Sequence, residues 1–195
     1  MQVDATQPKA AQARLVGSLV AGFLAAIVLR VAIGTPHVAT SESAGLAFAV
    51  ALYAMALISR PRIGLRVTNL LIGAAAGAAL CLPVVAARMT LVGAHRPEGS
   101  YARWALTVAV VAVSEEVFLR GALRDAVTAW RGSSTAIAVG AVCFAVLHLP
   151  LYGLSSAPLD LGVGLILGWL RERTKSVAAP ASAHVVADLI AWWLR

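Results

Sequence analysis

A chain of 195 residues that is 60% hydrophobic and only 13% charged, with a mean hydropathy of +0.83, has too little polar surface for a soluble domain of its size. Its net charge of +7 would suit nucleic acid in a soluble protein. Here the basic residues sit in short segments between apolar runs, where orienting the chain and binding anionic lipid are the simpler reasons, so no nucleic-acid partner is expected.

In chain order, Met1–Gln12 are polar and expected to be unstructured, within a polar N-terminal tail spanning 1–14. The apolar run from Leu15 is long, is interrupted by Arg30 and lacks a small-residue cleavage site, so it reads as a retained span rather than a signal peptide. Apolar runs near Leu15–Ile33, Ala44–Ser59, Val67–Ala87, Trp104–Trp130, Thr135–Tyr152, Leu159–Leu170 and Val177–Leu194 then recur at the spacing of membrane-crossing helices. The fourth is long enough to continue beyond the bilayer, and the sixth is short enough to be re-entrant or tucked among its neighbours. The expectation is an all-α, polytopic transmembrane helical bundle of about seven spans, one domain over 15–195. Gly73 and Gly77, like Gly164 and Gly168, have the GxxxG spacing that lets helices approach closely, and they read as packing features. Cys81 and Cys143 lie inside apolar runs without metal spacing and read as buried thiols.

The basic residues give the orientation. With the N-terminus inside, Lys9, Arg14, Arg60, Arg62, Arg66, Arg124, Arg131, Arg171, Arg173 and Lys175 fall on the inner side. Arg30, Arg88, Arg96, Arg103 and Arg195 fall on the outer side, and this asymmetry favours a cytoplasmic N-terminus.

Ionisable side chains deep in an apolar helix cost a few kcal/mol or more, so they face a cavity and carry function. Three places qualify. In Ser114-Glu115-Glu116-Val117-Phe118-Leu119-Arg120, Glu116 and Arg120 are one helical turn apart and can pair within one helix. Glu115 points about 100° away and lacks that partner, which separates one fixed carboxylate from one free to titrate. A structural charge cluster at a helix end is the bland alternative. Phe144 and His148 share a face of the next apolar segment, where a lone histidine is equally a hydrogen-bonding partner for a neighbouring helix. His184 and Asp188 form a third pair at the same spacing; Asp188 can act directly or merely orient His184, and Pro180 falls in the first turn of that helix. His37 and His95 lie in loops and read as surface residues.

Together, Glu115, Glu116, Arg120, His148, His184 and Asp188, with Phe144 in support, form a set able to deprotonate water and stabilise an oxyanion. Glu115, His148 and His184 are equally a ligand set for a divalent metal such as zinc, and the sequence leaves that choice open. Depth argues partly against the grouping. At about 1.5 Å per residue, Glu115 and His148 lie roughly 20 Å from the cytoplasmic ends of their helices and His184 only about 10 Å. Tilt, a boundary error or a dipped loop before Pro180 would reconcile them.

In order, Glu115-Glu116…Arg120, Phe144…His148 and His184…Asp188 resemble the EExxxR, FxxxH and HxxxN/D motifs of the CPBP family of intramembrane proteases, the group containing the CAAX prenyl endopeptidase. The run from Gly164 to Asp188 also looks like the family's link between its last two motifs, and the resemblance covers a catalytic core of about 104–188. It implies that Glu115 is a general base activating water with His148, that Glu116 pairs with Arg120 to fix the site, and that His184 and Asp188 stabilise the oxyanion. Asp188 departs from the Asn frequent at that position; an ionised Asp would repel an oxyanion, so it must be protonated, orient His184 or ligate a metal. The implied substrate is a membrane-anchored protein or peptide, and the implied roles are sorting, maturation or bacteriocin immunity. A myxosortase-like branch fits the compact size, and the Ala-rich composition points to a bacterial cell membrane. The competing readings are a transporter or proton relay built on the same Glu, His and Asp residues, and a catalytically silent scaffold. The absence of HExxH, GxSxG and GxGD leaves the glutamate-dependent class without a strong proteolytic rival.

Overall fold

Long apolar runs bounded by Gly, Pro and Ser dictate helices, and the computed structural model, which describes residues 8–59, 61, 63–86 and 100–194, contains helices and no strand among those residues. They are α1 (Lys9–Gly34), α2 (Glu42–Ser59), α3 (Val67–Ala86), α4 (Tyr101–Glu116), α5 (Arg124–Arg131), α6 (Ser133–Tyr152), α7 (Ala157–Thr174) and α8 (Ala178–Ala191). A π-helical stretch, Val117–Leu123, joins α4 to α5 without leaving helical dihedrals, so the expected fourth span is one continuous rod. Ser100 caps its start by accepting from Arg103 N–H at 3.3 Å, and Gly132 ends it at φ +87°. Pro180 sits in the first turn of α8, where its missing N–H leaves no bond unmade.

Two expected boundaries move. Lys9–Arg14, expected in the polar tail, already form the opening turns of α1, and Gln12 is buried. Ala10, Ala11 and Ala13 with Gln12 and Arg14 are strong helix formers, which hydropathy does not register. The short sixth run becomes the 18-residue α7, because the helix continues through the charged turn Arg171–Thr174 beyond the apolar segment. The remainder of the expected tail, Met1–Gln7, together with Arg60, Arg62, Arg88, Arg96, Arg195 and His95, lies outside the described residues. His37 is exposed in a turn, and both cysteines are buried, as expected.

The polarity of the molecule is inverted relative to a soluble domain. Leu57, Leu65, Leu71, Leu82, Leu106 and Trp169 face outward, while Ser114, Glu115, Glu116, Arg120, Arg171 and His184 are buried. Outward apolar side chains and inward polar ones are what a hydrocarbon solvent selects. α1, α2 and α6 are long and apolar enough to cross a bilayer, and α3 and α8 are shorter apolar helices. The protein is an integral membrane helical bundle.

Its core gathers around the π stretch. Phe118 stacks on Phe23 of α1 with centroids 5.6 Å apart, beside the fully enclosed Phe48 and Leu52 of α2. α3 lies along α8 at backbone contact: a Cβ on Gly73 would fall 2.1 Å from Ala179 O, and one on Gly77 2.2 Å from Ala183 O. Gly164 approaches Ala141 Cα on α6 to 2.7 Å in the same sense, so both GxxxG pairs act within the chain.

Candidate functional site

The depth of His184 is set by the links at the inner end of the bundle. The α7–α8 link is swallowed by the fold: Ser176, Val177, Ala178 and Ala179 are all buried. Ser176 Oγ donates to the carbonyls of Ile63 and Gly64 at 3.0 and 2.9 Å, and Val177 and Ala178 N–H both donate to Ile63 O. Val177 reaches the level of Gly121 in the π stretch, where an added Cβ would be 3.7 Å away. α8 therefore starts well inside the bundle, and His184, seven residues beyond Val177, meets Glu116, five residues before Gly121. A dipped loop resolves the depth mismatch.

Glu116 is the hub. Its Oε1 accepts from Arg120 Nη1 at 2.9 Å, the expected pair within one helix, and also faces His184 Nδ1 at 3.1 Å across to α8. Arg120 is held on its other side by donating from Nη2 to Gly164 O at 3.1 Å, with its guanidinium 4.8 Å over the Phe144 ring. That contact, and the Phe144–His184 edge contact at 5.2 Å, gives Phe144 its supporting place. His148 points Nδ1 at Phe144 O, 2.9 Å away. A carbonyl oxygen only accepts, so Nδ1 carries the proton and Nε2 keeps its lone pair.

Glu115 lies on the other side of the hub, 2% exposed, with its carboxylate strung between two cations or potential cations. Oε2 is 3.9 Å from His184 Nε2, and Oε1 is 3.6 Å from Arg30 Nη1 on α1. Neither distance is a hydrogen bond, and each leaves room for a bridging oxygen. His184 Nε2 also lies 3.5 Å from Asp188 Oδ2, the half-exposed member of the group. One ligand atom from each of Glu115, His148 and His184 lies within 4.8 Å of the others. Two imidazoles and a carboxylate are a catalytic zinc set, and Glu116 behind His184 is the kind of partner that orients such a ligand, so these residues fit a divalent ion with modest contraction.

The structure thus brings Glu115, Glu116, Arg120, Phe144, His148, His184 and Asp188 into one buried cluster from α4, the π stretch, α6 and α8. Sequence reasoning missed two neighbours. Arg30, counted among outer-side charges, instead lies within α1 and reaches into the site. An arginine inside an apolar run was the available signal. Asp160, in the first turn of α7, places Oδ2 in a buried position without a hydrogen bond and within electrostatic range of His184.

Residues 97–190, a little under half of the chain, match the family model described as type II CAAX prenyl endopeptidase Rce1-like. The match spans every residue of the cluster except Arg30. No curated protein and no solved structure matches the chain.

Proposed function

The chain belongs, through residues 97–190, to the CPBP family of CAAX-type intramembrane endopeptidases, and on that premise we propose that it hydrolyses a peptide bond of a membrane-anchored protein or peptide with Glu115 as the base. The observation that carries this reading is the convergence of Glu115, His148 and His184 to within 4.8 Å inside an apolar bundle.

Glu115 and the Nε2 lone pair of His148 take up the attacking water between them. As its oxygen bonds to the scissile carbonyl carbon, Glu115 accepts the proton and the carbonyl π pair moves onto oxygen. His184, held by Glu116 and flanked by Asp188, donates to that oxygen when both ring nitrogens are protonated. The carbonyl re-forms, the C–N bond breaks, and the proton on Glu115 passes to the leaving amine. Arg120 and Glu116 keep the imidazole in place throughout. A divalent ion bound by Glu115, His148 and His184 would supply Lewis-acid polarisation at the same point. Asp188 in this scheme orients His184, the role its 3.5 Å contact supports.

The test compares wild type with Glu115→Gln in the native membrane by mass spectrometry of the termini of membrane and exported proteins. Processed N- or C-termini that disappear in the variant, at equal protein level and thermal stability, support the protease and name its substrate. Their loss on chelation would add the metal. Identical profiles under conditions where the protein is needed remove the proteolytic reading, and ion or solute transport by the same pair is then the measurement to make.

A further inference from the structure

Arg30 is the one charged group in the cluster contributed from outside the matched segment. Its side chain is 12% exposed in the middle of the bundle, and its Nε and Nη1 are buried without a hydrogen bond. The guanidinium lies 5.0 Å over the ring of Phe48, a contact that holds its plane but satisfies no N–H. Its one ionic neighbour, Glu115 Oε1, stands off at 3.6 Å. Arg120 makes the contrast: it donates to Glu116 and to Gly164 O. Buried donors without an acceptor are costly, and a site that keeps them supplies the acceptor with its ligand.

We propose that Arg30 binds the oxygen of the scissile carbonyl and takes the negative charge that develops on it, exchanging Glu115 for the oxyanion as Glu115 is protonated. This deepens the hydrolytic reading above and rests on it for the reaction. Three carboxyl groups, Glu115, Glu116 and Asp188, surround the place where an oxyanion would form, and the charge needs a fixed cation to balance them. In the resting site Arg30 faces an ionised Glu115. When Glu115 takes the proton of the attacking water it loses its charge, and the guanidinium is released to the oxygen that has just gained one. Proton transfer and oxyanion stabilisation are thereby coupled through a single side chain. No external reactant enters: the C–O bond forms, the π pair moves to oxygen beside Arg30, and the proton rests on Glu115 until the amine leaves.

The exchange predicts opposite effects for two neighbours, readable without knowing the substrate. The probe is a phosphinic dipeptide, Ala-ψ[PO2CH2]-Ala, a stable tetrahedral anion, titrated into the purified full-length protein in detergent. Glu115→Gln imitates the protonated glutamate, so it binds the probe more tightly than wild type. Arg30→Gln weakens binding at least about tenfold, and Arg30→Lys restores part of it. The double variant Arg30→Gln/Glu115→Gln removes both halves of the ion pair, which protects the fold, yet still binds poorly. No binding by wild type, or equal binding by wild type and the double variant, overturns the assignment. So does weakening by Glu115→Gln equal to that of Arg30→Gln, the mark of a purely structural pair. Probe binding lost in Arg30→Gln alongside unchanged membrane-protein termini would keep Arg30 as the anion receptor while removing proteolysis.

Discussion

Glu116 carries two obligations on one oxygen. Oε1 serves both Arg120 and His184, and the whole side chain is enclosed. Removing one member of such a buried pair strands the other charge, which costs about 3–5 kcal/mol, more than the pair itself contributes. Glu116→Leu is therefore expected to lower stability by that order, read as thermal unfolding in detergent, whereas Glu116→Leu/Arg120→Met recovers much of the loss. A single variant that melts with wild type would show that the pair does not anchor the fold. At this scale the sequence was legible where contacts are local. Glu116 with Arg120, Phe144 with His148 and His184 with Asp188 all follow from one helical turn. The bond from Glu116 to His184 joins positions 68 residues apart, and no spacing rule encodes it. Arg30 was readable in principle, since a charge inside an apolar run needs a partner, but its partner is on another helix.

At the scale of elements, what hydropathy delivers is the existence of helices, and what it hides is how they end and touch. The π stretch has no periodic signature, yet it shapes the site. Its wider turn leaves Arg120 O available to Arg171 Nε on α7 at 3.0 Å, a bond that ties the rod to the helix beside it. At the inner end Arg124 and Lys175 both pair with Glu172, closing α5, α7 and the start of the α7–α8 link together. The α3–α8 contact was foreshadowed by Gly73 and Gly77, though not its partner. Gly77→Val would drive a branched side chain into Ala183 O and push α8, with His184, away from Glu116. A fall in melting temperature together with loss of processing is expected. Gly17→Ala, where nothing lies within 4 Å, is the neutral comparison. Equal melting of the two variants would contradict the close approach.

For the whole molecule, an apolar exterior around a polar interior fixes the solvent more firmly than any count of spans. Orientation is a separate matter. Moving Arg30 from the loops into α1 removes one charge from the outer side and leaves the described inner residues, Lys9, Arg14, Arg66, Arg124, Arg131, Arg171, Arg173 and Lys175, facing fewer opponents. Tyr101, Trp104, Trp192 and Trp193 cluster at the opposite end, with Trp104 and Trp192 centroids 4.6 Å apart, the aromatic company of a membrane interface. An alkaline phosphatase fused after Gly153, where α6 ends, is accordingly expected to be active, and one fused after Lys175 inactive. The reverse pattern would invert the protein in its membrane. The residues brought into the cluster span Arg30 to Asp188, so the site belongs to the complete bundle rather than to the motif-bearing half.

The π stretch ties the reading frame of the gene to the angular frame of the helix. A turn closed from residue i to i+5 holds one residue more than its neighbours. Loss of a single codon between Val117 and Leu123 would let the backbone settle into an ordinary α-turn with its ladder nearly intact. Everything beyond it would then rotate by about 100° relative to Glu115 and Glu116. Such a deletion would spare the helix and scatter the site, whereas a substitution in the same stretch need disturb only its own contacts. Across descendants of this chain, length should be held more tightly over these seven residues than identity is.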